Sequence, residues 1–178
     1  MGCCRRNKNQ RPWTKVVALT FLRSELLKDI GNNAYVEADV MKTDDEHDRH
    51  QVFDIVQDRN VERVTRVLDL TFAEINELCY PFTKADVEDY TSDTNTYEEA
   101  YDYTINMRVP DDFSQTTVVL LKQLIQELLT CRVLEDWFSI TKPESAANWG
   151  QKAENVRTRI NRALFARTGR TRRTLSPF

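Results

Sequence analysis

Apolar residues recur at three- and four-residue steps through most of the chain, which predicts a mainly helical protein. From Thr14 to Ile30 the stripe runs through Val16, Leu19, Leu22, Leu26 and Ile30, with Phe21 and Leu27 beside it. Gly31-Asn32-Asn33 follows, the residue types that most readily turn left-handed after a helix, so a stop is expected there. Tyr35 to Met41 is a short amphipathic piece of open type. An acidic stretch at 43–50 then leads into Val52, Phe53, Ile55 and Val56, read as a short helix or a pair of turns. Over 61–79 the period is clearest. Val61, Val64, Leu68, Phe72, Ile75 and Cys79 step regularly while Val67, Leu70 and Leu78 widen the stripe, which predicts a helix buried on more than one side. Pro81 is expected to stop it.

Residues 82–100 are polar and acidic without a usable apolar period, and read as a long loop with a subunit-contact role as one candidate. Tyr101, Tyr103, Ile105, Met107 and Val109 then alternate with Asp102, Thr104, Asn106 and Arg108, the period of a half-buried strand, and Pro110 closes it. Only weak partners such as 35–41 are visible for this strand. Tyr103, Ile105 and Met107 are therefore read as a candidate interface strand pairing with a neighbouring chain, the other reading being an extended segment laid over the helices.

Ser114 opens the dominant helix, whose run from Val118 to Phe138 leaves little polar surface and belongs at the centre of a bundle. Arg132, Glu135 and Asp136 near its far end read as ordinary surface charges, with an ion pair or an interface contact as the other reading. Lys142-Pro143 makes a turn into a last helix over about 144–167. There Ala146, Trp149, Ala153, Val156, Ile160, Ala163 and Leu164 lay down one stripe, and the other face is rich in arginine. The expected fold is thus mainly α, a small bundle of about four to five helices with one extended segment at 101–109 and extended basic termini. A basic tail at 1–12, a single helical domain at 13–169 and a docking tail at 170–178 divide the chain.

Composition supports one core: 178 residues, 40% of them hydrophobic, are enough for a single domain. The four glycines stand too far apart for a dinucleotide or phosphate loop, which excludes both chemistries. No apolar run approaches the roughly 20 residues needed to span a bilayer, and no signal peptide opens the chain, so a soluble product without a membrane role is expected. Met1-Gly2-Cys3-Cys4 begins as doubly acylated anchors do, but Arg6 stands where that motif needs Ser or Thr, and no lipid is expected.

The net charge of −3 hides a strong segregation. Residues 1–12 carry four basic residues and no acid, residues 37–112 carry 21 acids against 7 basic residues, and residues 157–178 carry seven arginines and no acid. Basic ends can meet DNA phosphates, yet they lack interleaved aromatics, and the chain itself offers an acidic face for a second copy to dock on. Arg170, Arg172 and Arg173, followed by the apolar Leu175 and Phe178, form the candidate partner-docking set, with carboxylates of 86–99 as their expected counterpart.

Catalytic chemistry finds little support. Cys79 and Cys131 stand alone in apolar helical patterns and read as small core residues. His47 and His50, three apart beside Asp44 and Asp48, are the only weak candidates for a metal, and the stretch reads more simply as a solvated helix start. No HExxH, no GxSxG and no Cys/His pair with a plausible third member is visible. No catalytic residue, no cofactor and no enzyme activity are expected.

Tyr103 to Pro110, Asp112-Phe113-Ser114, Cys131-Arg132-Val133-Leu134-Glu135-Asp136-Trp137, Ile140-Thr141-Lys142-Pro143, Ala147-Asn148-Trp149 and Arg172-Arg173-Thr174-Leu175-Ser176-Pro177-Phe178 resemble an uncharacterised family from phage and prophage gene clusters of gut Bacteroidetes. The order of elements is also similar to that of the small helical neck adaptors, or head-to-tail connectors, of tailed phages. The resemblance implies a structural protein of the virion neck, assembled in the host cytoplasm. It implies a homo-oligomeric ring of about twelve copies, with portal and tail-side ring proteins as partners and possible non-specific contact with DNA. The alternative is a nucleic-acid-binding or regulatory helical protein using its basic termini, and a metal or hydrolytic enzyme centred on His47 and His50 is the third reading.

Overall fold

The computed structural model describes residues 13–41, 46–84, 100–110 and 113–165. The N-terminal tail 1–12, most of the acidic loop and the docking tail 170–178 lie outside them. In chain order the elements are β1 (Trp13–Leu22), α1 (Arg23–Asp39), α2 (Glu46–Phe53), a 3-10 turn (Asp54–Val56), α3 (Asp58–Leu78), α4 (Tyr80–Thr83), β2 (Asp102–Pro110), α5 (Gln115–Thr141) and α6 (Pro143–Phe165). The described residues are mainly helical, with six helices and a small antiparallel sheet.

The first element differs from the expectation. Residues 13–22 form a strand, and the helix starts only at Arg23. Val16, Leu19 and Leu22 do fit a helical step, but Val17, Leu19 and Phe21 fit an alternating one equally well, and the segment is rich in β-branched and aromatic residues. Tertiary pairing decides. β1 runs antiparallel to β2 with Val17 opposite Met107, Leu19 opposite Ile105 and Phe21 opposite Tyr103. Leu19 and Phe21 are buried, whereas Val16 is 71% exposed.

This pairing also corrects the expectation for β2. Its partner is in the same chain, and Tyr103, Ile105 and Met107 point into the protein's own core. Tyr103 donates its hydroxyl to Asp69 on α3 at 2.7 Å, which fixes the sheet against that helix. The side chains assigned to a subunit interface are therefore buried within the chain, because a strand whose inner face is filled by its own helices has no apolar row left to offer a neighbour.

A second difference concerns Gly31. The helix runs straight through Gly31-Asn32-Asn33 to Asp39, so Tyr35 to Met41 largely continues it. Leu26, Ile30, Ala34 and Ala38 form its buried row. Asn33 donates to the carbonyl of Asp29 at 2.8 Å, one turn back, in place of ending the helix. Gly31 is needed for proximity: a Cβ there would sit 3.0 Å from Val56 Cγ2, so the glycine lets α1 approach the 3-10 turn.

The long helices follow expectation. α5 is buried on most sides from Leu121 to Phe138, and α6 packs beside it through Ala153, Val156, Ile160 and Leu164. α3 begins three residues earlier than the apolar pattern suggests and buries Val64, Leu68 and Ile75. After it Pro81 does not end helical structure, since it sits in the first turn of α4, where its missing N–H costs no bond. The indole of Trp137 donates to the Val52 carbonyl at 2.8 Å, tying α2 to the C-terminal part of α5.

Candidate functional site

Three features stand out on this scaffold: a carboxylate hub at one end of the bundle, a charged ladder along α5, and an open groove beside that ladder. The hub is Glu37, near the C-terminal end of α1. Its Oε2 accepts from Lys142 Nζ at 2.8 Å and from Ser145 Oγ at 3.0 Å, and its Oε1 accepts from Trp149 Nε1 at 3.1 Å. Partial burial pushes this carboxyl up, but the bonds from Lys142, Ser145 and Trp149, with the charge of the ammonium, outweigh burial and hold it below its ordinary value. With both oxygens accepting, Glu37 pins α1 to the turn between α5 and α6 and to the first turns of α6.

A carboxyl held low contributes stability that is present above its unfolded-state value and lost as pH falls through the folded one. Glu37→Gln should accordingly cost about 1.5–3 kcal/mol at neutral pH, the scale of hydrogen bonds to a charged group. The gap between variant and parent should shrink below pH 4.5, the group's ordinary value. Urea unfolding followed at pH 7 and at acid pH measures both, and a gap that widened in acid would contradict this role.

The ladder contains the charges read as ordinary surface groups. Arg132 bridges Glu135 at 2.8 Å on its own helix and Glu154 at 2.5 Å on α6. Arg63 on α3 holds Asp136 through both nitrogens, at 2.9 and 3.1 Å. Lys152 pairs with Glu127 and lies 4.6 Å over the Trp149 ring. These pairs are partly exposed, and their main effect is to set the register of α3 and α6 against α5.

The groove, with a volume of about 850 Å³, lies between α3 and α6 with α5 as its floor. Val67, Leu70, Ile75, Leu78 and Leu128 supply an apolar strip, while Glu74, Glu77, Glu135 and Asp136 give its walls a negative excess over Arg132 and Arg157. Leu70, read from its spacing as widening a buried stripe, is 64% exposed here. Its helical position was legible, but the absence of a described element over it was not.

The remaining sequence candidates are dispersed. His50 stacks against Phe53 with ring centroids 4.8 Å apart, and the side chain of His47 lies outside the described residues. Among the described residues no group of three or more His, Cys, Asp or Glu is placed to hold a metal ion. Arg170, Arg172, Arg173, Leu175 and Phe178 also lie outside the described residues. No helix of the described residues is long and apolar enough to cross a membrane.

Cys79 and Cys131 are fully buried, and burial pushes both thiols up to about 11; at Cys131 Lys152 and Arg132 lower it by less, and Glu127 and Glu135 add to the rise. A thiol at that value carries almost no thiolate at pH 8. Peptide mapping after maleimide treatment should find both protected in the native protein and labelled in denaturant. Rapid native labelling of either would contradict the core assignment.

Comparison with known proteins adds no relative: no protein-family model, no curated protein and no solved structure matches this chain.

Proposed function

We propose that this protein is a structural subunit of a phage or phage-like particle, a head-to-tail connector that assembles as a ring between portal and tail. The observation that carries the reading is the separation of complementary chemistry within one chain. A negative groove whose apolar lining includes the exposed Leu70 lies on the helical bundle, and a segment with Arg170, Arg172, Arg173, Leu175 and Phe178 follows the last helix in sequence. A subunit with two different, mutually complementary surfaces associates head to tail, and such contacts close into rings when the rotation between copies permits. The likeness of its element order to neck adaptors supports the same reading.

Sedimentation velocity on the purified chain, with negative-stain imaging, tests it. A closed oligomer that binds purified portal or tail rings is the expected result. A chain that stays monomeric at high concentration and joins neither ring would refute it.

One observation favours the second reading, a nucleic-acid contact: Arg157, Arg159 and Arg162 are all exposed on α6, the helix that the basic C-terminal segment follows in sequence. DNA binding through these groups would be independent of sequence and would fall steeply with salt. A filter-binding titration between low and physiological salt separates this from assembly, which needs no DNA.

A further inference from the structure

We propose that the groove between α3 and α6 is the receptor for the C-terminal segment of a neighbouring copy, with Leu175 and Phe178 on its apolar strip and the preceding arginines against its carboxylates. This rests on the ring reading above and names the site that reading requires. It also replaces the acidic loop with the folded bundle as the counterpart of the tail.

Charge supports the assignment. The groove is walled by Glu74, Glu77, Glu135 and Asp136, and of these Glu135 and Asp136 already have Arg132 and Arg63 as partners. Glu74 and Glu77 are both exposed, one turn apart on α3. The segment 166–178 carries Arg167, Arg170, Arg172 and Arg173 and no acid. Guanidinium groups spaced along an extended chain can meet these two carboxylates, which have no ion-pair partner among the described residues, while leaving the ladder intact.

Length agrees as well. From Val67 to Leu78 the groove follows α3 for 11 helical steps, about 17 Å at 1.5 Å each. Arg173 to Phe178 in extended form covers five steps of about 3.3 Å, again about 17 Å. The exposed Leu70 is then one anchor point and the half-buried Leu78 another, with side chains of Leu175 and Phe178 large enough to cover them.

Direction selects the neighbouring copy over the same one. Arg63 holds Asp136 while Leu78 and Leu128 meet in the groove, so α3 runs antiparallel to α5 and parallel to α6. Arg157 is the contribution of α6 to the groove. The helix continues eight residues further to Phe165, whose ring lies 6.1 Å from Phe82, and this carries the chain about 12 Å beyond Arg157. The axis of α6 at Phe165 thus points away from the groove of its own chain, and a segment continuing along it would have to reverse to enter that groove.

The test uses the full chain. Leu70→Arg places a cation on the apolar strip at a position exposed enough to leave helix content and melting unchanged, and should weaken self-association at least tenfold in sedimentation. In a second chain a benzophenone-bearing phenylalanine analogue replaces Leu70, and irradiation should give an adduct of dimer mass that maps to residues 170–178. An adduct of monomer mass on those residues would mean that the segment folds into its own groove. An adduct on any other peptide, or none, would equally overturn the proposal. If the parent chain forms rings and Leu70→Arg forms them equally well, the groove assignment fails while the ring reading stands. If the parent chain is monomeric throughout, both fail.

Discussion

Phe21→Ala is expected to destabilise the protein by about 3–5 kcal/mol, while Val16→Ala, five residues earlier in the same strand, should change stability by less than about 0.5 kcal/mol. The first side chain is 3% exposed and the second 71%. Truncating Phe21 removes a large aromatic group opposite Tyr103, between the sheet and the helices, where the surrounding atoms cannot collapse fully into the space left behind. Truncating Val16 removes a side chain that meets mainly water. The contrast is diagnostic because a helix over 14–30 would put Val16 in the buried stripe with Leu19 and Leu22. Urea unfolding followed by circular dichroism reads both variants, and comparable losses at the two positions would contradict the strand and its register.

That contrast marks where local pattern ceases to determine structure here. α3, α5 and α6 were legible because each carries its own period over five or more turns, so the burial of Leu68, Ile125 or Ile160 follows from neighbours three and four residues away. The alternation in β2 was legible for the same reason. Its partner was not, because β1 pairs with a segment 80 or more residues distant, and the apolar spacing within residues 13–22 fits a helical step as well as an alternating one until that pairing is made. Gly31 misleads for a related reason: the residue that permits a helix to end also permits another backbone to come close, and Val56 uses the second property.

The polar features were still less accessible. Glu37 is one acid in a segment of ambiguous period, and its partners Lys142, Ser145 and Trp149 lie 105, 108 and 112 residues further on. The Arg63–Asp136 pair joins helices 73 residues apart. The groove arises only when three separately legible helices are placed side by side. What did carry over from sequence was the charge: an acidic middle and a basic end are properties of composition, and packing sets Glu74 and Glu77 of that middle beside Glu135 and Asp136 of α5.

Removing residues 170–178 is expected to abolish assembly while leaving helix content and the melting transition nearly unchanged. The core described here extends from Leu19 on β1 to Leu164 on α6, and its apolar stripes are already matched among the helices and the sheet. Fixing nine further residues costs roughly 1–2 kcal/mol each in backbone entropy, so the segment becomes ordered only where its contacts outweigh that cost. Arg170, Arg172 and Arg173 have no acid after Glu154 in the sequence with which to pair locally. Leu175 and Phe178 gain most from apolar surface that is exposed before docking, such as Leu70 on a neighbouring copy. Sedimentation velocity of the truncated chain measures assembly, and circular dichroism with a thermal melt measures the fold. Loss of the fold on truncation would place the segment in its own core, and undiminished assembly would remove it from the interface altogether.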